Sequence, residues 1–178
     1  LVKASCNQCE LISQEFLAVP TEAPSLLGAN KQYLASYRLD NLSSCHAITT
    51  ALGLGLASQI CDKTLVITYF ADHEEIGSRT KEGAASTFLI NLLKDLLEVW
   101  PKVGSFSQIT SRSLCVSIDV AHGSHPLYPQ KTEPTHPNML GKGPTLKFSA
   151  EMKYSTSLES SAVIQRIAHE NKIPLQLQ

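Results

Sequence analysis

Four acidic residues stand out by what precedes them. Asp40, the adjacent pair Glu74 and Glu75, and Asp119 each come at or just beyond the end of a run of β-compatible residues, at 32–37, 64–70 and 113–119. In open α/β sheets, ligands and chemistry collect beyond the carboxyl ends of the strands. If the three runs are neighbours in a sheet, their carboxylates meet at one edge. Anions crowded in this way must take up protons or be neutralised by cations. Carboxylates and imidazoles suit zinc, and two ions close together can share a bridging carboxylate. Such a centre makes a nucleophile from water near neutral pH and polarises a carbonyl, and a glutamate that binds no metal can then act as general base. The ordinary alternatives are a solvated surface pair for Glu74 and Glu75 and a capping carboxylate for Asp40. Against them stand the apolar flanks of the pair and the recurrence of acids at successive strand ends.

The elements that must position these acids can be read in outline. Residues 9–19 are mostly β-compatible, and Pro20 and Pro24 then mark a turn. Apolar residues recur with helical spacing at Leu42, Cys45, Ile48, Ala51, Leu52 and Leu56, with Asn41 placed to cap the helix. The run 64–70 is apolar and β-branched, as a buried strand should be. Residues 83–100 predict a second helix with a broad apolar face through Phe88, Leu89, Leu92, Leu93, Leu96 and Leu97, ended by Pro101. A polar loop leads to the strand predicted at 113–119. Residues 121–143 have no periodic pattern, and they hold His122, His125 and His136 among prolines and glycines. A long structureless stretch inside a compact domain is usually functional. A short strand at 145–148 and a last helix through Val163, Ile164, Ile167 and Ala168, opened by Ser157, complete the pattern.

Composition sets the bounds. The 178 residues suffice for one domain with a sizeable core, and 17% charged against 43% apolar residues argues for a globular chain. A net charge of −1 gives no long-range pull toward nucleic acid or an anionic membrane, and no apolar run is long enough for a membrane span. Five cysteines without a spaced framework favour a reducing compartment, so a cytoplasmic setting is expected. Cys6-x-x-Cys9 has no second half and is expected to be a pair of ordinary thiols. The chain opens on Leu1 and stops within an apolar pattern at 173–178, so both ends are expected to be cuts through a longer protein.

Three stretches now carry a resemblance. Arg38-Leu39-Asp40-Asn41-Leu42, Asp72-His73-Glu74-Glu75-Ile76-Gly77-Ser78, and the segment from Asp119 through His122 and His125 to Pro126 resemble the central signatures of the M18 metalloaminopeptidases, the aspartyl aminopeptidase family. Lys142-Gly143-Pro144-Thr145-Leu146-Lys147 resembles a fourth. The resemblance implies an α/β fold, an αβα sandwich with a mixed, mostly parallel sheet, of which residues 1–178 are one partial catalytic domain without its flanking segments or dimerisation domain. It implies that Asp40 bridges two zinc ions, that Glu75 and Asp119 each bind one of them, and that Glu74 is the general base. It places His122, Lys147 and Tyr154 at the substrate, with Lys147 suited to an acidic N-terminal side chain. Cobalt or manganese would also satisfy these ligand types. The implied partners are peptide substrates and further copies of the chain in a homo-oligomer.

Departures from the family pattern are also visible. The two histidine ligands expected of the family, one toward each end of the protein, are not among these residues, so this piece alone is expected to bind zinc weakly and to turn over nothing. Gln130 and Thr132 stand where an acid and a histidine are commoner, which bears on fine substrate preference. His125 and His136 are equally suited to bonding loop carbonyls and to meeting substrate. The alternatives are a two-zinc aminopeptidase that prefers neutral residues, and an inactive relative that serves in assembly or binding.

Overall fold

The computed structural model describes residues 12–55 and 64–178. Cys6, Cys9, the start of the 9–19 run and Leu56 lie outside the described residues. The chain forms two compact units, Leu1–Leu39 and Asp40–Gln178.

In the first unit, β1 (Ser25–Leu27) and β2 (Tyr33–Ala35) form an antiparallel hairpin in the register Ser25↔Ala35, Leu26↔Leu34 and Leu27↔Tyr33. Gly28, at φ 92°, opens the turn, and Lys31 donates its N–H to the Gly28 carbonyl at 3.0 Å. Residues 12–19 carry no strand, contrary to the β-compatible composition. Strand pairing is made by a neighbour, and large side chains such as Ile12 and Phe16 are exposed here.

The second unit holds the rest. Helix α1 (Leu39–Gly53) enters it from the first unit and is regular only from Leu42, because Asp40 (φ −85°, ψ 109°) and Asn41 (φ −115°, ψ 24°) are not helical. Helix α2 (Phe88–Val99) turns Leu89, Leu93, Leu96 and Leu97 inward, while Phe88 and Leu92, expected on the same face, are exposed. Its first residue stacks on Tyr69, with ring centroids 5.8 Å apart. A short helix, α3 (Phe106–Thr110), lies where a loop was expected. Ser105 accepts from the Gln108 N–H, and the Gln108 side chain accepts from the Ser105 N–H. Helix α4 (Leu158–Glu170) begins with the same reciprocal device between Ser157 and Ser160, and buries Ser161 and Ala168. Strand β3 (Thr145–Leu146) pairs in parallel with β4 (Gln176–Leu177). Just before β3, Gly143 has φ 95°, and a Cβ there would fall on the Pro174 carbonyl.

The described residues thus combine helices with two small sheets, one antiparallel and one parallel, in keeping with an α/β chain. The runs 64–70 and 113–119 carry no ladder, although both were expected to be strands. Their apolar side chains are half exposed, as at Val66 (41%) and Ile118 (48%), so neither run has the second face that a core strand needs. Among the described residues Ala168 is the one apolar side chain that is buried. No described helix is long and apolar enough to cross a membrane.

Candidate active site

The glutamate pair sits on a tight turn closed at both ends. Residues Glu74–Ile76 form a single 3₁₀ turn between His73 and Gly77, both left-handed at φ 59° and 99°. Gly77 and Ser78 donate back to the carbonyls of Glu74 and His73, each at 2.9 Å. Histidine tolerates the left-handed region better than most residues, and its ring is tied down, with Nδ1 2.7 Å from Thr80 Oγ1. Asp72 is bridged to Gly83, and the Tyr69 hydroxyl donates to the Glu82 carbonyl at 3.2 Å. Gly83 is buried against the Ser78 carbonyl, where a side chain would not fit. The turn is therefore anchored, and both glutamates on it are exposed.

Asp40 is brought to the same place by its neighbour. Asn41 was expected to cap α1. Instead its Nδ2 donates to the Ile118 carbonyl at 2.7 Å, next to Asp119. Asn41 Oδ1 is buried without a hydrogen-bond partner. The carboxyl of Asp40 is held above the ordinary aspartate pKa, first by a hydrogen bond with the Asp119 side chain, then by burial, then by the negative charges of Asp119, Glu75 and Glu74. The four acids predicted from separate segments thus share one electrostatic neighbourhood. Asp119 is itself braced by the Val120 N–H, which donates to its Oδ1 at 2.7 Å.

Two neighbouring acids and two more acting through space make an environment that a divalent cation would neutralise. The donor set is oxygen-rich and suits zinc or a harder ion. Among the described residues, however, no three His, Cys, Asp or Glu side chains converge into a closed metal cage. The two statements are compatible, because charges interact over distances much longer than a metal–ligand bond. The set fits a cation by its chemistry.

The expected substrate residues fall into two groups. Lys147 and Tyr154 are brought together, with the ammonium 5.5 Å from the ring centroid. His122 lies exposed at the start of the 121–143 loop. His125 and His136 are both engaged within that loop: His125 Nδ1 accepts from the Leu127 N–H at 3.1 Å, and His136 Nδ1 lies 2.8 Å from Thr135 Oγ1 and 3.2 Å from Glu133. Glu133 is held below the ordinary carboxylate range by the Thr135 hydroxyl first, and by backbone donors and His136 after it.

The sequence matches the model of the family described as aminopeptidase I zinc metalloprotease (M18) over residues 1–178. It is 36% identical over 166 residues to a probable M18 family aminopeptidase 2 of Pseudomonas aeruginosa, covering 93% of this chain and 37% of that protein. It is 36% identical over 175 residues to aspartyl aminopeptidase 4 of Saccharomyces cerevisiae, covering 92% and 35%. The chain therefore spans little more than a third of these relatives. The fold is similar to that in a cryo-EM structure of the Ape4 and Nbr1 complex, with TM-score 0.72 and 31% identity over 88% of this chain and 30% of that one. It is also similar to the crystal structure of yeast aminopeptidase 1, with TM-score 0.76 and 23% identity over 88% and 36%.

Proposed function

The chain belongs to the M18 family of zinc metalloproteases, and from that premise we propose that it is the central part of the catalytic domain of an aminopeptidase. In this reading the whole protein removes N-terminal residues from peptides, aspartate and glutamate foremost. The observation that carries the reading is the Asn41–Ile118 hydrogen bond at 2.7 Å, which sets Asp40 beside Asp119, where Asp119, Glu75 and Glu74 together hold the Asp40 carboxyl above its ordinary pKa.

Asp40, Asp119 and Glu75 would hold the two zinc ions. Zinc, when bound, supplies Lewis acidity toward the scissile carbonyl and toward water. Glu74 takes the proton from the attacking water and delivers it to the leaving amine. Its place on an anchored turn suits a base that must meet the same atom at each turnover. Lys147, resting on Tyr154, pairs with an acidic side chain of the N-terminal residue, and His122 lines the site. The αβα sandwich with a mostly parallel sheet belongs to the same reading, supported by the likeness to solved structures and by the parallel β3–β4 pair. So do the single partial catalytic domain over 1–178, the homo-oligomer and the cytoplasmic setting. The piece alone would be inactive, because the family's two histidine ligands lie outside it.

The test is hydrolysis of aspartyl, glutamyl and leucyl substrates by the full-length protein with zinc. Preference for the two acidic substrates is the expected result. Preference for leucyl substrates would leave the neutral-residue aminopeptidase standing. Failure to cleave any of them with zinc bound would overturn the enzymatic reading and favour a binding role.

A further inference from the structure

The 121–143 loop, which has almost no regular structure, is stitched to the β3–β4 pair by side-chain amides, one of them, Asn138, buried. The backbone of Gln178 flanks Lys147 on both sides, since its N–H donates to Leu146 at 3.1 Å and its carbonyl accepts from Phe148 at 2.6 Å. Its side-chain Oε1 accepts from Asn138 Nδ2 at 2.6 Å. Asn138 is only 3% exposed, and its Oδ1 accepts from the Thr145 hydroxyl at 3.0 Å. The Asn138 carbonyl accepts from the Ser124 N–H at 2.6 Å, two residues beyond His122. Beside this, Gln176 accepts from the Met139 N–H at 2.9 Å and donates to the carbonyls of Gly143 at 2.9 Å and Met139 at 3.2 Å. A path of hydrogen bonds thus joins Lys147, directly after β3, to the segment that carries His122.

A loop of this length without helix or strand has many conformations of similar energy. Buried amides that use both donor and acceptor select one of them, because breaking either bond leaves a polar group unsatisfied. Asn138 and Gln178 are turned toward each other, so they are not placed to meet substrate themselves. Their effect is on where His122 and Lys147 stand relative to one another.

We infer that Asn138, with Gln176 and Gln178, is a positioning residue that sets the spacing between His122 and Lys147. The inference rests on the proposed function for the roles of those two residues. Asn138→Leu in the full-length zinc enzyme removes both side-chain bonds. KM for acidic substrates should rise about five-fold while kcat changes less than about two-fold, the signature of lost binding rather than lost chemistry. In a Lys147→Met background the same change should move KM less, through His122 alone. Gln176→Leu should behave like Asn138→Leu.

Equal falls in kcat and kcat/KM in both backgrounds, or a lower thermal midpoint with unchanged kinetics, would show a merely structural amide and overturn the inference. If Asn138→Leu does not fold, Thr145→Val loses one donor to the same cluster and should raise KM about two-fold with the same dependence on Lys147. A parent enzyme indifferent to the charge of the N-terminal residue and to Lys147→Met refutes the functional reading instead. Asn138→Leu must then still raise KM for whatever is cleaved, through His122, or the inference falls as well.

Discussion

Asn41 and Ile118 are 77 positions apart in the chain, yet the side-chain amide of the first donates to the carbonyl of the second at 2.7 Å. Each lies next to one of the two neighbouring acids, so this bond holds Asp40 to Asp119. Groups that orient metal ligands from behind typically change metal affinity by about 10–100-fold when removed. Asn41→Leu in the full-length protein should weaken zinc binding by about ten-fold or more, with kcat/KM falling in step. Competition with a chelator of known affinity measures it, and an unchanged zinc constant would show that the amide is incidental.

Glu74 and Glu75 are neighbours with different predicted duties, and substitution can separate them. Glu74→Gln keeps the shape of the turn and removes the base, so kcat should fall by about 10²–10⁴ while zinc content stays the same. Glu75→Gln and Asp119→Asn should lose zinc first and activity as a consequence. Metal analysis alongside kinetics distinguishes the two patterns, and zinc loss in the Glu74 variant would reverse the assignment.

The raised pKa of Asp40 has a definite sign. The folded state holds this proton more tightly than the unfolded chain does. Its contribution to stability is therefore complete below the ordinary aspartate value and declines as pH rises through the folded value. Asp119→Asn removes the first cause of the shift, so this decline should be shallower in the variant when metal-free thermal midpoints are compared across acidic pH. Zinc competes with the same proton, so its affinity should increase with pH over that window. Tighter zinc binding on acidification would contradict the cluster.

Lys147 stands over the Tyr154 ring. Lys147→Glu should raise KM for aspartyl and glutamyl substrates by about ten-fold or more and leave leucyl substrates nearly unaffected. Tyr154→Phe keeps the ring and should be close to neutral. Tyr154→Ala loses a partly exposed cation–π contact, and its KM should rise about 2–5-fold for acidic substrates. Parallel losses on leucyl substrates would mean that the pair supports the fold rather than selecting the substrate.

Local pattern was enough where an element makes its own case. The inward face of α2 and the Ser157 start of α4 followed from spacing and capping chemistry. Helix α3 was missed although its signal was present: Ser105 and Gln108 stand three apart, as a reciprocal cap requires. The runs 64–70 and 113–119 have strand composition, but a ladder also needs a partner, and composition carries no information on whether one is beside them. The four acids stood out in the sequence by what precedes them, although the runs before Glu74 and Asp119 form no ladder. Asn41 did not stand out, because a local reading offers it a cap three residues away and cannot see Ile118. Asn138 was hidden in the same way among the prolines of an aperiodic loop.

Gly143 has consequences for variation as well as for shape. Its left-handed backbone and the Pro174 carbonyl in the place of a Cβ close the position to every residue with a side chain. In a library offering all amino acids at each site, selection for a working enzyme should return glycine alone at 143, while the exposed Lys142 beside it drifts freely. The boundary between the frozen and the permissive parts of this protein would then run between two adjacent letters.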